Sequence, residues 1–121
     1  QKKVIEKIAS LGKNCIIVGR NADVILEDFK PLNIFVCAET EAKLRRCMER
    51  APAKENLTEK ELTRKMKQVD KMRSQTRAIL SGSDWGDPKN YHLTVNTTDW
   101  SVKEMVPAVA EFAARWFGRE V

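Results

Sequence analysis

The chain has 121 residues, 42% of them hydrophobic, which suits one domain around one core. No stretch is long and apolar enough to span a bilayer, and no basic, apolar and small-residue succession reads as a secretory leader. The net charge of +5, from 22 Lys and Arg against 17 Asp and Glu, fits either an anionic partner or a mixed-charge soluble surface.

Helical patterning begins almost at once, without an initiating Met, so a segment upstream of Gln1 is expected. Lys2 to Leu11 reads as a helix, with Val4, Ile5, Ile8 and Leu11 at helical spacing and Gly12 as its stop. Cys15 to Val18, "CIIV", reads as a strand buried on both faces. Ala22 to Phe29 reads as a short helix ended by Pro31, and Asn33 to Ala38, "NIFVCA", as a second buried strand. Glu41 to Arg50 is expected to be helical, with Thr40 as N-cap. Thr58 and Glu61 form a capping box opening a long helix that "SGSDWGDP" breaks after Leu80. Tyr91 to Thr97 alternates and reads as a third strand. Ser101 and Glu104 form another capping box. The helix after it is expected to bury Val102, Met105, Val106, Val109, Phe112, Ala113, Trp116 and Phe117, with Pro107 costing one backbone hydrogen bond.

Short apolar strands alternating with amphipathic helices define an α/β protein with a parallel sheet. The charged, mostly helical stretch 51–90 looks like a lid inserted between core segments 1–50 and 91–121. Cys15, Cys37 and Cys47 lie in apolar patterns without a Cys-x-x-Cys, so buried reduced thiols and a cytoplasmic location are expected. His92 is the one histidine, which argues against a zinc site and suits a structural hydrogen bond at a strand start. Met48, Met66, Met72 and Met105 read as core fillers.

Helix geometry sorts the arginines. Leu62, Met66 and Val69 make an inward stripe, and further steps of four reach Arg73 and Arg77. An inward pair requires an anion, either a core carboxylate or a ligand phosphate. Lys71 falls nearly opposite Arg73. Arg46 and Arg50 lie across from Leu44 and Met48, which reads as a solvated face. Arg20, after Gly19 at the tip of "CIIV", suits a ligand at the carboxyl end of a strand, or an internal ion pair with Asp23. Trp85 reads as an anchor for its Gly-rich turn, with base stacking as the other use, and Asp87-Pro88 as turn chemistry.

"IVGRNAD", "FVCAETEAKLRRCMER", and "DKMRSQTR" followed by "WGDPKNYHLTVNTT" occur in that order. Together they resemble the cytidylate kinase-like family of P-loop nucleoside monophosphate kinases, from about Val4 to Val109. The resemblance implies part of a three-layer P-loop kinase fold, with three strands in this segment, a helical lid, and phosphoryl transfer from ATP with Mg2+ to CMP or a related nucleotide. It implies that Arg20 contacts the acceptor phosphate and that Asn21 or Asp23 lies near ribose or base. Arg46, Arg50, Arg73 and Arg77 would gather on the donor phosphates as the lid, carrying Lys71, closes. Asn21 stands where better-known members carry an acidic residue, which leaves the acceptor base open.

The family's phosphate loop has no counterpart here. Gly12-Lys13 lacks the earlier glycine a Walker A needs, since Lys7 stands in its place. The resemblance puts the strand bearing that loop between "CIIV" and "NIFV". Those two should therefore not pair directly, the loop should come from an upstream segment of the same protein, and residues 1–121 alone should be inactive. Expected partners are the two nucleotides, with no membrane or nucleic acid; an oligomer is compatible. The competing class is a non-catalytic basic module that binds RNA or a protein through Lys60, Arg64, Lys65, Lys67 and Lys71.

Overall fold

A computed structural model describes residues 2–12, 14–19, 21–50 and 58–118. Among these residues five α-helices and two strands follow in order: α1 (Lys2–Ser10), α2 (Ala22–Ile25), β1 (Ile34–Cys37), α3 (Thr40–Arg50), α4 (Glu59–Ser81), β2 (Leu93–Asn96) and α5 (Val102–Gly118). Short 3-10 turns at Glu27–Phe29 and Pro88–Asn90 precede the two strands.

β1 and β2 pair in parallel, with Ile34 opposite Leu93 and Cys37 opposite Asn96. Parallel strands require a long crossover, and α3 and α4 supply it. β2 alternates as its sequence demands: Val95 is buried while Thr94 and Asn96 face outward.

The sheet has two strands among the described residues, not three. Cys15 to Val18 forms no strand, and Ile16 and Val18 are 93% and 95% exposed. An apolar run becomes a strand only where a neighbour supplies hydrogen-bond partners, and no described strand lies beside this one. "CIIV" and "NIFV" are not paired with each other. β1 is also less covered than expected, with Val36 60% exposed.

The helices correct several expectations. Ala22 to Phe29 splits at Leu26 into a short α-helix and a 3-10 turn, which Lys30 ends in the left-handed conformation at φ 52°. Thr40 is the first residue of α3 instead of its cap. Thr58 does cap α4, its hydroxyl accepting from the Glu61 N–H at 3.2 Å, and Gly82 closes it at φ 68°. The helix α5 runs through Pro107, yet none of its residues is buried, and Val102, Val106 and Phe117 remain about half exposed. All three cysteines are free thiols, but Cys15 is exposed and the other two are half-buried. Met48 and Met72 are exposed as well, so they do not fill a core.

α3 and α4 pack together. Ala42 and Leu62 are buried, and Lys43 Nζ bonds Asp70 Oδ2 at 2.7 Å between the two helices. Among the described residues no helix is long and apolar enough to cross a membrane.

Candidate functional site

The carboxyl ends of β1 and β2 are closed by Arg46. Its Nη1 donates to Thr97 Oγ1 at 2.8 Å, and its Nη2 donates to the carbonyls of Thr97 and Trp100. Thr97, 3% exposed, itself bonds the Cys37 carbonyl through both N–H and hydroxyl, at 2.8 and 3.2 Å. The Glu39 N–H donates to Thr98 Oγ1 at 2.9 Å. Arg46 is therefore not on a solvated face. Arg46 reaches from α3 to the strand ends, and Ala42, four residues before it, is buried, while Leu44 and Met48 line a groove with Glu59.

Arg77 is the buried cation of the molecule's described part, 3% exposed. Its Nη1 donates to Asp23 Oδ1 at 2.6 Å and its Nε to Ser83 Oγ at 2.9 Å. Its guanidinium carbon lies 5.8 Å from the centroid of the Tyr91 ring. The hydrogen bond that Arg77 donates to Asp23 pushes the Arg77 pKa above the ordinary arginine value; burial opposes this, and the Asp23 charge adds to it. Ser81 and Ser83 complete the local ring: Ser81 Oγ donates to the Arg77 carbonyl at 3.0 Å and accepts from the Ser83 N–H at 3.2 Å.

An aromatic layer supports this end of α4. Phe35 lies against Tyr91 at 4.8 Å with the rings tilted by 34°, and meets Trp85 edge-on at 5.4 Å. The Gly86 N–H donates to the Tyr91 hydroxyl at 3.3 Å. Trp85 is thus an anchor of the Gly-rich turn. Asp87 Oδ1 accepts from the Lys89 N–H at 3.0 Å, the turn chemistry its Asp-Pro sequence favours. His92 is structural: its Nδ1 accepts from the Asn33 N–H at 2.9 Å, with the ring 4.4 Å from Trp116.

The remaining expected site residues are spread out. Arg73 is not inward. Its side chain is 43% exposed, 3.9 Å from Asp70 Oδ1. Lys43, near the start of α3, reaches Asp70, so α3 offers α4 little cover beyond that point. Lys71 and Arg50 are exposed, without ion pairs among the described residues. Asn21 adopts the left-handed conformation at φ 64° just before α2. Arg20 lies outside the described residues, and Asp23 takes Arg77 as its ion-pair partner. Ser83, Tyr91 and Thr97 were not legible as site residues, because each earns its place through a partner distant in sequence or across a turn.

Among the described residues no group of three or more His, Cys, Asp or Glu side chains gathers to hold a metal.

A parallel strand pair with helices around it, and with Arg46 closing its carboxyl end, defines an α/β protein. The family model of the cytidylate kinase-like family matches residues 1–99, and the chain belongs to that family. A solved structure, that of an uncharacterized protein from Eubacterium ventriosum ATCC 27560, is similar with a TM-score of 0.80 and 28% identity. The match covers 92% of this chain but 61% of that one, so this chain spans under two thirds of the length of its structural relative. No curated protein matches the chain.

Proposed function

We propose that the chain is part of a nucleoside monophosphate kinase-like phosphotransferase that moves a phosphoryl group from ATP to CMP or a related nucleotide. The family match over residues 1–99 carries this reading. Phosphoryl transfer asks a protein mainly for cations fixed around developing negative charge, and arginine supplies them with a planar, permanently charged fork. In this reading Arg77 and Arg73 on α4 serve the phosphates, with Arg46 and Arg50 on α3 near them and Arg20 on the acceptor. Segment 51–90 is the lid over 1–50 and 91–121. An upstream segment of the same protein brings the ATP-binding loop, and Mg2+ arrives on the ATP phosphates. The outer edge of β1, unpaired among the described residues, and the exposed "CIIV" run support a further strand seated between them. The reading places the protein in the cytoplasm.

The test is ADP release by the full-length protein with ATP, Mg2+ and each nucleoside monophosphate in turn. Turnover with a pyrimidine acceptor is the expected result; no turnover with any acceptor, together with no saturable ATP or CMP binding, overturns the reading.

One observation favours a second reading. Lys60, Arg64, Lys67 and Lys71 follow steps of four, three and four on α4, so they share one helix face, and all are exposed. A stripe of this kind suits the phosphate backbone of RNA. Sequence-blind RNA binding that falls steeply with salt, in place of nucleotide binding, would support it.

A further inference from the structure

Arg77 is held from several sides yet keeps one edge of its guanidinium unused. Nη1 is on Asp23, Nε is on Ser83, and the Tyr91 ring lies against it. Nη2 donates no hydrogen bond to a described residue. No buried side-chain nitrogen or oxygen among the described residues lacks a partner, so Nη2 keeps contact with solvent. Asp23, 15% exposed, spends Oδ1 on this pair. It stands in α2, two residues after the left-handed Asn21.

We infer that Asp23 is a positioning residue: it orients Arg77 so that the free Nη2 edge meets a nucleotide phosphate, and it does not itself contact ribose or base. This rests on the kinase reading and deepens it. A free arginine side chain must lose rotamer freedom when it binds an anion; Arg77 has lost it on folding, so the donor is presented ready-made. The carboxylate also keeps the buried guanidinium from being an unpaired charge when no ligand is bound. Because Asp23 belongs to α2, which follows "CIIV", and Arg77 to the end of α4, the pair ties the acceptor side of the site to the lid helix.

The experiment measures CMP and cytidine affinity by calorimetry, with melting temperatures, for the full-length protein and for Asp23→Asn, Arg77→Met and the double variant. Asp23→Asn is expected to weaken CMP by about tenfold, the size of one misplaced charge-assisted hydrogen bond, and to leave cytidine unchanged. In the Arg77→Met background the same substitution is expected to cost no further CMP affinity. Asp23→Glu, which keeps the charge but shifts the guanidinium, should fold and still weaken CMP if Asp23→Asn does not fold. Equal losses for CMP and cytidine, or a loss that persists without Arg77, would make Asp23 a nucleoside contact and overturn the inference. A lowered melting temperature with unchanged CMP affinity would leave only a structural bridge and overturn it too. If the parent protein binds no nucleotide, the kinase reading falls and takes the inference with it; CMP binding untouched by Asp23→Asn removes the inference alone.

Discussion

Arg77 and Asp23, 54 residues apart in the chain, meet at 2.6 Å with the arginine side chain 3% exposed. Each neutralises a charge that the fold has largely withdrawn from water. Removing one partner strands the other, and breaking a buried pair in this way costs about 3–5 kcal/mol. Arg77→Ala should therefore lower the urea midpoint far more than a surface substitution does. Replacing both residues with apolar side chains of similar volume should cost less than either single change. A double variant as unstable as the sum of the two would show that the pair is not coupled.

The same pair sets an expectation for pH. The folded pKa of Arg77 is raised, chiefly by the hydrogen bond it donates to Asp23. A raised basic group contributes stability that is complete below its unfolded pKa and lost only as pH rises through the folded value. For an arginine that window is strongly alkaline, so the difference in stability between parent and Arg77→Met should stay constant from pH 7 to about pH 9. A difference that shrinks across that range would show that another group titrates in the pair.

Gly86 carries φ +85°, and a Cβ placed there would stand 3.3 Å from Phe35 Cζ. Gly86→Ala combines left-handed backbone strain of about 1–2 kcal/mol with a contact that Phe35 must yield to. The variant should melt lower, and Trp85 fluorescence should change because Trp85 packs on the same ring. An unchanged spectrum would mean that the turn is not held against Phe35.

Thr58→Ala should destabilise the start of α4 by about 1 kcal/mol, because the Glu61 N–H loses its acceptor. Thr58→Ser should behave as the parent. Hydrogen exchange of the first turn of α4 reads the effect directly, and equal protection in all three proteins would contradict it.

Arg46→Lys keeps the charge and loses the fork that reaches Thr97 and Trp100 together. A loss of about 1–2 kcal/mol is expected, with faster exchange of the Thr97 amide. Full stability in Arg46→Lys would show that a single ammonium closes the strand ends equally well.

The sequence was a good guide where structure is local. The capping of α4 by Thr58, its stop at Gly82, the alternation of β2 and the Asp87 turn all depend on residues within a few positions of one another. It also showed that Arg77 continues an inward stripe and needs an anion. The same stripe misplaced Arg73, since a helical face is buried only where another element covers it, and α3 offers little cover past Asp70. The Leu44 and Met48 side of α3 likewise looked like its packed face, whereas it is Arg46 that reaches the strand ends and Ala42 that is buried.

Residue order alone therefore determined where α4 starts and stops, which runs favour extended backbone, and the family to which the chain belongs. The tertiary structure decided which carboxylate Arg77 meets, what Arg46 closes, and that "CIIV" stays an exposed run without a strand partner among the described residues. The division is physical. Caps and turns are satisfied by neighbours along the chain, whereas buried charges and strand edges are satisfied only by groups that folding brings from far away.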